Sequence, residues 1–201
     1  MNKHRTHNCN QLNKSNISQT IKLSGWIHSK RDHGNLLFID LRDYYGITQC
    51  VINSSDKNLD LDKISSIKLE SVINIEGEVI NRGAEAVNPK LPTGEIEIKV
   101  QKFKIECSAK QIPFQINDKN ENPPEDLRLE YRFLDLRRQK IKENIILRSK
   151  VISFIRAEMT KKDFLEIQTP ILTSSSPEGA RDYIVPSRMH PGKFYALPQA
   201  P

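Results

Sequence analysis

Residues 25–50 read "GWIHSKRDHGNLLFIDLRDYYGITQC", and the way apolar and polar residues alternate through and around this stretch decides the fold. "LLFIDLRD" (36–43) is a nearly continuous apolar strand, and "ITQCVI" (47–52) comes after a turn at Gly46. The basic run through Lys30, Arg31 and His33 separates them from an alternating segment upstream, "TIKLSGWI" (20–27). Period two is the mark of a strand with one buried face. Two more such runs occur downstream, "SVINIEGEVI" (71–80) and "EIEIKVQKFKI" (95–105). Between the third and fourth, Leu59, Leu61, Ile64, Ile67 and Leu69 partly follow helical spacing, which predicts a short helix.

Five strands between Gln19 and Glu106, with a helix between the third and fourth, form the layout of an OB-fold. This is an all-β Greek-key barrel whose sheet face often binds single-stranded nucleic acid. Another five-stranded barrel or a generic β domain satisfies the same pattern. The 201-residue chain carries 31 basic and 25 acidic residues, a net charge of +6. That excess favours an anionic partner such as nucleic acid or a membrane surface; richness in Ile, Lys and Asn from AT-rich coding sequence explains it equally well. Cys9, Cys50 and Cys107 are far apart, with no C-x-x-C pair, and fit reduced thiols of a cytoplasmic protein. The amino terminus lacks the apolar segment of a secretory signal, and no run approaches the length of a membrane span.

Beyond Cys107 the composition shifts. Residues 108–126 are polar and carry Pro113, Pro123 and Pro124, the marks of a linker between a first domain at 1–107 and a second from 127 onward. "PEDLRLEYRFLDLRR" (124–138) predicts a helix with Glu125 and Asp126 in its first turn and Arg137 and Arg138 at its end, both favourable against the helix dipole. A second helix, Lys140 to Lys161, places Ile141, Ile145, Ile152, Ile155 and Met159 on one stripe and Leu147, Val151 and Phe154 on another. Two apolar stripes predict burial against more than one neighbour. "FLEIQTPIL" (164–172) reads as a strand stopped by Pro170, and "KFYALPQAP" (193–201) as another. So few elements cannot close a core, and residues 127–201 read as the opening of a larger α/β domain.

The familiar catalytic templates are missing: no Gly-rich phosphate loop, no H-E-x-x-H, no Cys/His cluster with zinc spacing. The barrel offers binding chemistry instead. Lys30, Arg31, Arg42 and Arg82 fall at strand ends or in loops, where cations meet phosphates or base edges. Gln49 and Glu97 lie in strands three and five, and both can read base edges, Glu by accepting from cytosine N4. Phe38 is either a platform on which a base stacks or, by the apolar run around it, part of the core.

Five ordered pieces, "GWIHSKRDHGNLLFIDLRDYYGITQCV", "NPKLPTGEIEI", "LRLEYRFLDLRR", "FLEIQTPILTSSSPEGARDYIVPSR" and "GKFYALPQAP", together resemble the bacterial aspartyl-tRNA synthetases. The resemblance implies an OB-fold anticodon-binding domain followed by the start of a class II catalytic domain, an antiparallel sheet left incomplete. It implies an enzyme that joins L-aspartate to ATP and passes the aspartyl group to tRNA. Arg31, Asp32, Phe38, Gln49 and Glu97 match family positions that contact the anticodon, with Arg82 and Asn88 as further contacts; Phe38 becomes a stacking platform. The helix at 140–161 with "FLEIQTPIL" matches motif 1, whose role is the homodimer interface, with Pro170 as its proline. Glu178 matches the contact to the aspartate ammonium group. Motifs 2 and 3, which hold ATP and Mg2+, would follow position 201, so no catalytic residue is expected within these residues and no catalysis from them alone. A stand-alone OB-fold RNA-binding protein is the alternative. His33 matches a histidine of members that charge both tRNA-Asp and tRNA-Asn, and the position of Glu85 bears on the same choice; the resemblance thus implies a non-discriminating enzyme.

Overall fold

A computed structural model describes residues 3–56, 58–117, 122–175 and 182–197. Alternation becomes structure in β1 (Thr20–Asp32), β2 (Leu36–Arg42), β3 (Ile47–Asn53), β4 (Val72–Asn81) and β5 (Ile96–Cys107). Each strand pairs with two others, in the order β1-β2-β3-β5-β4, and the pairing of β4 with β1 closes the barrel. All pairs are antiparallel except β3 with β5. The inward rows are apolar, among them Ile21, Leu23 and Ile27 of β1, Leu37, Ile39 and Leu41 of β2, Ile73, Ile75 and Val79 of β4, and Ile96, Ile98 and Val100 of β5. Burying such a side chain contributes about 1.5–3 kcal/mol, and this row is the main source of the barrel's stability.

β1 runs further than its apolar alternation suggests. Its register slips between Ile27 and Ser29, and "HSKRD" then continues as strand against β2, with Arg31 opposite Phe38. The bulge lets one strand bend around the barrel corner. β4 meets the same need at Gly77, where a Cβ would lie 2.3 Å from the Lys99 carbonyl oxygen, so β5 can cross only a residue without a side chain.

The expected short helix is α1 (Leu61–Ser66), started by Asp60, whose side chain accepts from the Lys63 amide. Ile64 of α1, with Leu59 and Ile67 beside it, joins the barrel core. Cys9 and Leu12 enter the same core from the amino-terminal segment. That segment is fastened by the Cys9 amide donating to Asp43 Oδ2 at 2.9 Å and by Thr48 Oγ1 donating to the Cys9 carbonyl at 2.6 Å.

The chain divides into two compact units, residues 1–139 and 140–201. Within the first, the segment read as a linker is anchored: Phe114 and Ile116 are buried with Leu134, the Ala109 amide donates to Ser71 Oγ, and Asn117 Nδ2 donates to the His28 carbonyl. The helix expected over 124–138 is two short ones, α2 (Glu125–Glu130) and α3 (Arg132–Asp135), broken at Tyr131. The break seats Asp135, fully buried, among Arg128 at 3.0 Å, Arg132 at 2.6 Å and Arg138 at 3.3 Å. Burial opposes ionisation of Asp135, but hydrogen bonds from Arg128 and Arg138 and the nearby positive charges outweigh it and hold the carboxyl below its ordinary value.

The second unit contains α4 (Gln139–Lys161) and the antiparallel pair β6 (Tyr183–Pro186) and β7 (Phe194–Leu197). The burial expected for α4 is not found: no residue of it is buried, and Leu147, Phe154 and Ile155 are more than half exposed. The described residues of this unit leave the two stripes largely uncovered. "FLEIQTPIL" is likewise not a strand. Leu165 and Ile167 are exposed, and the nearby pairing is a single bridge, Thr173 with Ala196 at the edge of the β6–β7 pair, where a strand needs a run of such pairs. Pro170 lies exposed in this irregular stretch. Glu178 lies outside the described residues.

Candidate nucleic-acid interface

The outward positions of neighbouring barrel strands carry a row of polar side chains. Strand register sets Ser29 of β1 opposite Asp40 of β2, and Asp40 opposite Gln49 of β3. The β3–β5 pairing of Cys50 with Ile98 then brings Glu97 beside Gln49. Hydrogen bonds link them. Ser29 Oγ donates to Asp40 Oδ2 at 2.5 Å, and Arg31 Nη2 donates both to Asp40 Oδ1 at 3.0 Å and to Gln49 Oε1 at 3.1 Å. Gln49 Nε2 donates to Glu97 Oε2 at 2.9 Å. The Arg31 side chain remains 48% exposed, so a ligand on this face meets a cation already aimed.

Phe38 stands on the same side of β2, since its neighbours Leu37 and Ile39 point into the barrel. It is not part of the core cluster, and it is half-buried. The apolar run in "LLFID" that suggested core packing therefore does not hold for this ring, which the alternation of β2 turns outward. His33, in the β1–β2 turn, meets the Phe38 ring edge-on at 5.5 Å between centroids. The turn is shaped by Gly34, whose φ of 76° an L side chain rarely adopts, and by Asp32 Oδ1, which accepts from the Gly34 amide at 2.8 Å. Asp32 thus shapes the turn while staying exposed beside Arg31.

The β4–β5 loop carries the other expected contacts. Glu85 sits exposed on a short 3-10 turn, Ala84–Ala86. Asn88 organises the rest of the loop: its Oδ1 accepts from the Lys90 amide, and its amide donates to the Gly94 carbonyl. A Cβ on Gly94 would lie 1.8 Å from the Asn88 carbonyl oxygen. Replacing Gly94 by alanine is expected to force this loop open at a cost of about 1–3 kcal/mol, seen as a lower urea midpoint. An unchanged midpoint would mean that the loop is not closed as tightly as its hydrogen bonds suggest.

Three of the four cations expected to meet phosphates or bases are occupied otherwise. Lys30 Nζ donates to the Ser65 and Ile67 carbonyls, the latter at 2.8 Å, and so caps the end of α1. Arg42 is held by Glu70 through two hydrogen bonds of 2.7 and 2.8 Å and donates from Nη1 to His28 Nδ1. Arginine only donates, so the neutral His28 carries its proton on Nε2. Burial and then the Arg42 charge lower the His28 pKa from its ordinary value. Arg82 is 3% exposed; its Nε donates to the Ile96 carbonyl and stands 3.9 Å from Glu97 Oε2, behind the carboxylate rather than in the open. Its Nη2 is buried without a partner among the described residues.

Sequence reasoning missed Asp40. The only signal was a carboxylate at an outward position of a strand otherwise apolar, between Phe38 and Arg42. Among the described residues no group of three or more His, Cys, Asp or Glu could hold a metal ion, and no helix is long and apolar enough to cross a membrane.

A family model described as an OB-fold nucleic acid binding domain of the tRNA anticodon type matches residues 21–106, and one described as tRNA synthetases class II (D, K and N) matches residues 124–201. The Aspartate--tRNA(Asp/Asn) ligase of Pelagibacter ubique is 59% identical over 201 residues, which is 100% of this chain and 33% of that protein. The proteins of the same name from Erythrobacter litoralis and Rickettsia bellii are 57% and 56% identical with the same coverage. The chain thus spans about a third of the length of these curated relatives. Among solved structures, asparaginyl-tRNA synthetase from Pyrococcus horikoshii complexed with asparaginyl-adenylate superposes with a TM-score of 0.80 at 23% identity, over 96% of this chain and 42% of that one. Aspartyl-tRNA synthetase from Entamoeba histolytica gives 0.70 at 22% identity, over 79% and 38%. These two speak for the fold. Both family models in order along the chain, with more than half the residues identical from end to end, show that it belongs to the bacterial-type aspartyl-tRNA synthetases of class II.

Proposed function

We propose that this chain supplies tRNA recognition to an aspartate-tRNA ligase that works in the cytoplasm. The observation that carries the reading is the linked row Arg31–Gln49–Glu97 beside the outward Phe38, on a barrel whose whole chain is 59% identical to an Aspartate--tRNA(Asp/Asn) ligase. An aromatic platform next to fixed donors and acceptors is what reading unstacked anticodon bases requires. Arg31, Gln49 and Glu97 meet base edges and Phe38 stacks. Asp32 and Asn88 hold the two flanking loops in shape, and Arg82 backs Glu97.

The reaction proposed for the whole enzyme is attack of the aspartate carboxylate on ATP, releasing pyrophosphate and forming aspartyl-adenylate. The aspartyl group then passes to the terminal ribose of tRNA, with AMP leaving. ATP and Mg2+ are assigned to residues beyond this chain. Glu178 is assigned to the aspartate ammonium group, and α4 with Pro170 to a homodimer interface, which would cover the exposed Leu147 and Phe154. His33, which borders the Phe38 platform, and Glu85, in the β4–β5 loop, are assigned through the family resemblance to the choice between tRNA-Asp and tRNA-Asn. The anticodons of these tRNAs differ only at the third base, and a relaxed reader accepts cytosine and uracil there.

The test is aminoacylation of both tRNAs by the enzyme from the complete reading frame. Aspartate on both is expected. Charging of tRNA-Asp alone would remove the relaxed reading, and charging of neither would remove the enzyme reading.

A further inference from the structure

We propose that Asp40 is a specificity-determining positioning residue: by fixing Arg31, it fixes which end of the Gln49 amide faces Glu97, and so sets the hydrogen-bond pattern that this face offers a base. The proposal rests on the reading of the face as an anticodon reader, and no contact between Asp40 and RNA is required.

A glutamine amide is nearly symmetric in shape but has an acceptor at one end and two donors at the other, so a loosely held glutamine offers either pattern. Here its neighbours leave one consistent orientation. Arg31 only donates and therefore takes Gln49 Oε1; ionised Glu97 only accepts and therefore takes Gln49 Nε2. Arg31 can hold its end only if its own guanidinium is held, and its side chain is nearly half exposed. The group that holds it is Asp40, with a side chain 12% exposed, through the 3.0 Å bond from Arg31 Nη2. The other oxygen of Asp40 is taken by Ser29 Oγ, so the carboxylate cannot swing. Asp40 is thus an anchor that accepts from both Ser29 and Arg31, and from Arg31 the donors run in one direction, into Gln49 and on into Glu97.

The end of that chain is the part a base meets. Gln49 keeps its second N–H, and Glu97 keeps Oε1, since Oε2 is occupied by Gln49 and faces Arg82. This is a fixed donor beside a fixed acceptor. Bases differ in the order in which acceptor and donor succeed one another along their edges, so a glutamine held in one orientation selects among them and a flipping one does not.

The test uses the 201-residue chain and two anticodon stem-loop RNAs of equal length, one with the triplet GUC and one with that triplet scrambled, at one salt concentration so that phosphate attraction is common to both. For Asp40→Asn the GUC affinity is expected to fall about tenfold, with the scrambled loop unchanged, so that the ratio of the two collapses toward one. Ser29→Ala, which touches the chain only through Asp40, is expected to shift the ratio in the same direction by less, and it carries the test alone should Asp40→Asn fail to fold. An equal loss on both RNAs would make Asp40 a merely structural residue and overturn the proposal, as would no loss on either. A wild-type chain that binds the two RNAs equally would overturn the anticodon reading itself, and the proposal with it.

Discussion

Replacing Phe38 by alanine is expected to weaken binding of an anticodon stem-loop by about 1–3 kcal/mol, roughly 5- to 150-fold in Kd, because one base loses its stacking platform. The ring is half-buried on the outer side of β2 and lies outside the barrel's core cluster, so removing it should leave the fold intact. What it takes away is a flat apolar surface beside Arg31 and the edge of His33. Circular dichroism and the urea midpoint should stay near those of the parent while fluorescence anisotropy with labelled RNA shows the loss. A variant that is folded and binds RNA with undiminished affinity would mean that Phe38 serves only to cover the strand beneath it.

The largest expected loss of stability is at Glu70. Its carboxylate is 4% exposed and accepts from Arg42 and from Arg137, at 2.7 and 2.8 Å, and Arg137 in turn lies over the Trp26 ring at 4.5 Å. The pairs join the end of β2 to the residues after α3, fastening 125–139 to the barrel. Removing the shared partner leaves two arginines uncompensated, and breaking a buried pair in this way costs about 3–5 kcal/mol. The lower end applies here, since Arg137 is 27% exposed and can recover some hydration. Glu70 also has a φ of 64°, a conformation that costs an L residue about 1–2 kcal/mol and glycine almost nothing. Glu70→Ala is therefore expected to lose about 3 kcal/mol, and Glu70→Gly noticeably less, the reverse of the usual order for these two residues. Trp26 is the sole tryptophan and sits inside the cluster, so its fluorescence in urea reports the change directly. Equal midpoints for the parent and both variants would show that the cluster contributes nothing.

The barrel was legible because burial of one face imposes period two, and Ile21, Leu23, Ile73, Ile75, Ile96 and Ile98 obey it. The continuation of β1 through "HSKRD" was not, since a polar run next to a glycine has the composition of a turn and only pairing with β2 makes it a strand. The cations were hard for a related reason. Lys30 and Arg42 owe their roles to Ser65, Ile67 and Glu70, residues 28 to 37 positions away, and nothing local distinguishes a capped or paired cation from a free one. Gln49 and Glu97 were legible singly, as polar side chains on strands three and five, but not as a pair; their contact spans 48 positions and depends on the parallel β3–β5 pairing. Asp40 went unnoticed because its significance lies wholly in which side chains the register sets beside it. In the second unit, apolar stripes on α4 and in "FLEIQTPIL" foretold burial that the described residues do not supply, since a hydrophobic pattern states a need for a partner without naming one.

On the proposed function, the outer face of this barrel reads the anticodon bases common to tRNA-Asp and tRNA-Asn. Competition among stem-loops of equal length carrying GUC, GUU or a scrambled triplet isolates that reading, because the phosphates are matched and only the bases differ. GUC and GUU are predicted to bind with similar affinity and both more tightly than the scrambled loop, with all three weakening as salt rises. Equal binding of all three would contradict the claim, leaving a basic barrel that holds RNA by its backbone alone.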